Sequence, residues 1–178
     1  TLGVITRAFL RLRAIPEKVV TIACDFENLS DASDAWQEIQ NLPMAPEVAV
    51  LVNSVTSKLF GLNGWNLLLR FEGITEQVEG GIKDVQTHYR SDLMPDFSWE
   101  ALQNFPINNG YFLIRAHVAP GQTFKLVEEW KDGNAILACP DSGVVYNRVP
   151  SYDALALCKD RAELQEAAVV LERIPTDL

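Results

Sequence analysis

The 178-residue chain carries 15 basic and 24 acidic side chains, a net charge of −9, with 48% apolar and 22% charged residues. That composition suits one globular core, or two small units sharing one, and a chain of this length folds without disulfides or metal. The acidic balance argues against nucleic acid or an anionic membrane surface as the main partner, and no apolar run approaches the roughly 18 residues of a membrane span.

Basic charge is concentrated at the start, where Arg7, Arg11, Arg13 and Lys18 fall within a stretch that also alternates apolar side chains. Cys24, Cys139 and Cys158 are odd in number and widely spaced, with no Cys-x-x-Cys. They read as reduced, mostly buried thiols of a cytoplasmic protein. No signal or transit peptide is visible. The chain opens on Thr1 rather than Met, inside what reads as a structured segment, which is the expectation for an excised part of a longer chain.

From Ala8 to Ile15 the pattern alternates, with Leu10, Leu12 and Ala14 on one face and Arg11 and Arg13 on the other, a strand that Pro16 stops. Residues 19–26 read as a strand rich in β-branched side chains. Ser30 is a candidate N-cap for a helix to about Asn41, with Trp36 and Ile39 on its buried stripe. Residues 47–52 and 65–71 are two further strands, separated by the turn Gly61-Leu-Asn-Gly64. Thr75 is the candidate cap of a helix carrying Val78, Ile82, Val85 and Tyr89 at helical spacing. Gly80-Gly81 inside it costs about 1 kcal/mol per glycine relative to alanine, so that helix is packed closely or distorted there. Residues 96–104 make a short helical turn.

The second half repeats the order. Residues 110–118 read as a strand, 121–131 as a helix, 134–139 as a strand, Pro140–Gly143 as a turn and 144–148 as the returning strand. Ser151 caps a helix to about Gln165, and 167–174 close as a strand. Residues 110–174 thus spell β-α-β-β-α-β, and residues 17–91 the same order short of its last strand. The expected fold is α+β: a duplicated ferredoxin-like, largely antiparallel sheet with helices on one face and the other face uncovered.

Catalytic signatures are scarce. His88 and His117 are 29 residues apart, and neither has a metal-ligand partner at helical or strand spacing, so no metal site is expected. There is no nucleophile elbow, phosphate loop or Gly-x-Gly-x-x-Gly. Alternation does place Arg70, Arg115 and His117 on the sheet face away from the helices. An arginine there is suited to clamp a carboxylate through paired hydrogen bonds, and a histidine beside it to accept a proton. The plainer reading is the polar face of a half-wet sheet. Arg148 is on the same face but close to a turn.

The opening Thr1-Leu-Gly-Val-Ile-Thr-Arg-Ala-Phe-Leu-Arg-Leu-Arg13 resembles the (G)TLG-(I/V)-IT-x-A-x-L-(R/K)-L stretch of FAD-linked oxidases of the vanillyl-alcohol-oxidase type. Within that superfamily the chain is most similar to the C-terminal cap part of the FAD-binding subunits of bacterial glycolate oxidases. The resemblance implies that residues 1–16 are the last strand region of a FAD-binding domain absent here. Residues 17–178 would then be a cap or substrate domain, its two halves spanning about 17–104 and 110–174. It implies that Leu2, Gly3, Val4, Ile5 and Thr6 line the FAD site, with Gly3 allowing close backbone approach. The family's phosphate-binding loop, a His-x-His metal motif and the usual C-terminal tail are missing from this sequence. The chain alone is therefore expected to hold neither FAD nor activity.

Two functions remain. One is the substrate domain of a flavin-dependent oxidoreductase acting on a 2-hydroxy acid such as glycolate. Its partners would be the FAD-binding domain of the same chain, other oxidase subunits, or a second copy met through the open sheet face. The alternative is a stand-alone ferredoxin-like module that binds a small ligand or dimerises.

Overall fold

The computed structural model describes residues 7, 14–105, 111–131 and 134–175. The strand expected over Ala8–Ile15 and the FAD-lining Leu2–Thr6 fall outside them.

The elements follow in the order β1 (Lys18–Phe26), α1 (Leu29–Ile39), β2 (Val48–Val52), α2 (Ser54–Ser57), β3 (Trp65–Gly73), α3 (Thr75–His88) and β4 (Ser91–Leu93). Then come α4 (Trp99–Gln103), β5 (Phe112–His117), α5 (Thr123–Trp130), β6 (Ala135–Cys139), β7 (Val144–Val149), α6 (Tyr152–Glu163) and β8 (Ala168–Arg173). One eight-stranded sheet runs β4-β1-β3-β2-β6-β7-β5-β8, and its pairs are antiparallel. Each half has the same internal order, β4-β1-β3-β2 and β8-β5-β7-β6, so the duplication is one of topology. The last strand missing from the sequence reading of the first half is β4, three residues long and pairing Ile22, Ala23 and Cys24 with Leu93, Asp92 and Ser91.

Helices α1, α3, α5 and α6 bury one sheet face. Ile22, Leu51, Leu67, Leu69 and Phe71 of the first half meet Ile39, Val78 and Val85; Ile114, Ile136 and Val145 of the second meet Leu126 and Trp130. Gly81 is the close packing that the glycine pair implied: a Cβ there would lie 2.9 Å from Met44 Cγ and 3.1 Å from the Met44 carbonyl, whereas nothing lies within 4 Å of one at Gly80.

Two cap assignments need correction. Helix α1 starts at Leu29, capped by Asn28 rather than Ser30: Asn28 Oδ1 accepts from Asp31 N–H at 2.9 Å, and Asn28 Nδ2 donates to Asp31 Oδ2. For α3 the Thr75 side chain caps nothing. The Thr75 N–H instead donates to the Glu17 carboxylate at 3.2 Å, a charge well placed at a helix N-terminus. The Ser151 cap of α6 is as expected, with Oγ accepting from Ala154 N–H.

The other face is not uncovered throughout. Over the first half, α2, the turn after it and the segment leading into α4 fold back across the strands. Phe60, Phe97, Trp99, Leu102 and Phe105 pack on Ala23, Val50, Val52 and Leu68. Trp99 Nε1 donates to Thr21 Oγ1 at 2.9 Å, pinning that cover to β1. Among the described residues, what remains open is the outer part of the second half around Arg115, His117 and Val170, while Leu113 and Arg148 on the same face are buried.

Candidate functional site on the open sheet face

Period-two alternation along β5 sends Phe112, Ile114 and Ala116 into the helix-side core and leaves Leu113, Arg115 and His117 on the open face. The register sets Tyr146 and Val170 on either side of Arg115, and Val144 and Ala168 on either side of His117. Arg115 and His117 are brought together: Arg115 Nη1 lies 2.9 Å from His117 Nε2. A guanidinium can only donate, so Nε2 is the acceptor and the ring proton sits on Nδ1. Arg115 Nε also lies 2.5 Å from Glu172 Oε1, an ion pair at an angle outside hydrogen-bond geometry. A register shift between Leu113 and Ile114 puts Glu172 opposite no single residue of β5 and close to this arginine.

Tyr146 completes the cluster. Its phenol is pushed above the ordinary tyrosine value by burial and by the nearby Glu172 carboxylate, with Arg115 opposing. Neither Tyr146 nor Glu172 stood out in the sequence. The signal for Tyr146 was its place in Val144-Val-Tyr-Asn-Arg148, where alternate residues share the face of Arg115. Glu172 had no such signal, because its role depends on β8 pairing with β5.

Arg70 is elsewhere. It lies on β3, four strand positions from β5, so roughly 19 Å of sheet separates it from Arg115. It pairs with Glu72 at 2.9 Å and borders a cleft of about 540 Å³ walled by Thr21, Leu93, Phe97 and Trp99. The sequence thus placed all three side chains on the right face, and the fold joins two of them and sets the third apart.

His88 is in the last turn of α3, with Nδ1 3.0 Å from the Asp84 carbonyl. Among the described residues no group of three or more His, Cys, Asp and Glu side chains is placed to hold a metal ion. Among them, too, no helix is long and apolar enough to cross a membrane. No run of glycines opens a helix among the described residues.

No protein-family model matches the chain. A probable mitochondrial D-lactate dehydrogenase of Danio rerio is 28% identical over 107 residues, covering 56% of this chain and 21% of that protein. Among solved structures, p-cresol methylhydroxylase with substrate bound superposes with a TM-score of 0.59 at 17% identity, over 90% of this chain and 46% of that one. An alkyldihydroxyacetonephosphate synthase gives 0.57 at 13% identity, over 88% and 40%. The 4-ethylphenol oxidase of Gulosibacter chungangensis, in complex with isoeugenol, gives 0.54 at 13%, over 87% and 45%. The chain therefore spans about a fifth of the curated relative and under half of each structural neighbour. The structural neighbours are FAD-linked oxidases of the vanillyl-alcohol-oxidase family, and this chain resembles them in fold across nearly all of its own length.

Proposed function

We propose that this chain is the cap, or substrate, domain of a flavin-dependent oxidoreductase acting on a 2-hydroxy acid such as glycolate. In this reading residues 1–16 end a FAD-binding domain, with Leu2, Gly3, Val4, Ile5 and Thr6 lining the flavin, and residues 17–178 form the cap. The observation that carries the reading is the joined Arg115–His117 pair on a part of the sheet face that no element among the described residues covers. A likeness to part of larger oxidases, and to a probable D-lactate dehydrogenase, supports it.

Oxidation of a 2-hydroxy acid removes a hydride from the α-carbon and a proton from the hydroxyl. Bound flavin supplies the hydride acceptor. The chain's own part is to orient the acid and receive the proton. Arg115, oriented by Glu172, borders the acid. His117 takes the hydroxyl proton on Nε2 once Arg115 Nη1 releases that nitrogen, and Nδ1 keeps its own hydrogen. Tyr146, beside Arg115, offers a hydroxyl that stays protonated at neutral pH and can donate to the substrate. Arg70 lies too far away to touch the same small acid, and in this reading it serves its own cleft.

The test uses the full-length protein. Flavin absorbance that is bleached by glycolate or lactate is the expected result. Replacing Arg115 by Lys keeps charge but loses the planar fork, and KM for the acid should rise about tenfold. A full-length protein without flavin, or an unchanged KM in Arg115→Lys, overturns the reading.

A further inference from the structure

The same sheet face carries a second arginine, at the edge of the cover and buried beneath it. Arg148 on β7 is 8% exposed, yet its Nε is fully buried without a hydrogen-bond partner, and among the described residues no carboxylate pairs with it. Its guanidinium lies over the ring of Phe105, 4.0 Å from Cζ to centroid. Arg70 and Arg115 both have glutamates, Glu72 and Glu172. Among the described residues Arg148 has a ring and no carboxylate.

An arginine that is this buried keeps its charge, and a buried charge left without a counter-ion is costly. A ring face recovers part of that cost but leaves the buried Nε–H without an acceptor. Burial accordingly pulls the guanidinium below its ordinary value, with Tyr111 opposing. Such a site is complete only when an anion occupies it. The register fixes where that anion would lie. Arg148 is opposite Leu113, and Tyr146, two residues before it, is opposite Arg115. The two guanidiniums are therefore diagonal neighbours on one face, with Cα atoms about 7–8 Å apart.

We propose that Arg148 is the anion receptor of this face, taking the carboxylate of a small acid that also reaches Arg115 and His117. The assignment deepens the functional reading above and rests on it for the identity of the acid. A neutralised arginine must first be parted from its glutamate before it binds a carboxylate, whereas no glutamate among the described residues holds Arg148. Arg115 then borders the other end of the acid, beside the proton acceptor.

Glycolate and lactate are the probes, and thermal unfolding of the full-length protein is the readout. Wild type should be stabilised increasingly by either acid, beyond the effect of sodium chloride at equal ionic strength. Arg148→Met removes the uncompensated charge while keeping an apolar stem against Phe105. It should melt above wild type without acid and respond at least tenfold less to it. Arg148→Lys, which keeps the charge, serves if the methionine variant does not fold, and it too should weaken the response about tenfold. Equal stabilisation by chloride, or an Arg148→Met or Arg148→Lys protein that responds to acid as wild type does, overturns the proposal. So does an Arg148→Met protein that melts below wild type without acid, since Arg148 would then already have an acceptor within the full-length protein. The two readings fail separately. A protein without flavin whose acid response still depends on Arg148 sinks the oxidoreductase reading alone. A flavoprotein that oxidises the acid with KM unchanged in Arg148→Met sinks this assignment alone.

Discussion

Asn53 reaches across the middle of the sheet to Ile136, its Oδ1 accepting the Ile136 N–H at 3.1 Å. The same oxygen takes Thr56 N–H at 3.0 Å, capping α2, and Nδ2 donates to the Asn134 carbonyl at 2.6 Å. In the sheet, the two halves pair along a short ladder, Leu51 with Ala138 and Val52 with Leu137. One buried amide thus extends the joint and starts the cover of the first half.

Replacing Asn53 by Ala strands two backbone N–H groups and a carbonyl at a position 2% exposed. At about 1–3 kcal/mol for a buried group left unsatisfied, a loss of about 3 kcal/mol is expected. Asn53→Asp keeps the acceptor, loses the donor and buries a charge, so it should be no better. Urea unfolding of both variants checks this; a loss below about 1 kcal/mol in Asn53→Ala would show that water replaces the amide.

The neighbouring glycines of α3 should respond in opposite directions. Gly80 faces open space inside a helix, so Gly80→Ala should stabilise by about 0.5–1 kcal/mol through the unfolded chain and helix propensity. At Gly81 the added methyl meets Met44, including its backbone carbonyl at 3.1 Å, and the substitution should destabilise by about 1–3 kcal/mol. Thermal melts of the two variants side by side decide it, and matching signs would refute the packing argument.

How far the sequence led is clear from particular residues. Trp36, Ile39, Val78 and Ile82 were legible as core because a 3.6-residue period leaves little choice of face. Ser151 was legible as a cap, but Ser30 competed with Asn28, and both are good caps two positions apart. Strand β4 was not legible: Ser91-Asp-Leu93 has no apolar run, and it is a strand only because β1 offers it an edge. Helix α2 was hidden for a similar reason, its start set by Asn53, which is itself fixed by β6. At the candidate site, alternation gave the faces of Arg115 and His117, which is local information. The pairing of Arg115 with Glu172 and the stacking of Arg148 on Phe105 are products of tertiary contact, and no spacing along the chain encodes them.

Glu172 should control the ionisation of Tyr146. The carboxylate raises the phenol's affinity for its proton, and Arg115 lowers it. Glu172→Gln removes the first influence and leaves the second, so Tyr146 should ionise at lower pH than in wild type. Spectrophotometric titration, with Tyr146→Phe to identify the residue, measures it. An upward shift would mean that Arg115 leaves the cluster once Glu172 is gone.

The buried thiols weaken the fold at alkaline pH. Burial pushes Cys24 up to about 12, with Asp25 adding to it, and Cys139 and Cys158 up to about 11, against 9.0 for a free thiol. Below pH 9 all three are protonated, folded or not, and their contribution is fully present. Above it the unfolded chain loses protons that the folded chain keeps, so stability falls as pH rises through the folded values, at up to about 1.4 kcal/mol per pH unit for each thiol. Cys24 has the widest window and sits in the core between β1 and the helices, so Cys24→Ala should lower stability at neutral pH by leaving a small cavity and yet flatten its decline above pH 9. Urea unfolding at successive pH values between about 8 and 11 separates the two effects, because the cavity displaces the whole curve and the thiol changes only its slope. A slope identical to wild type would show that Cys24 titrates alike in both states.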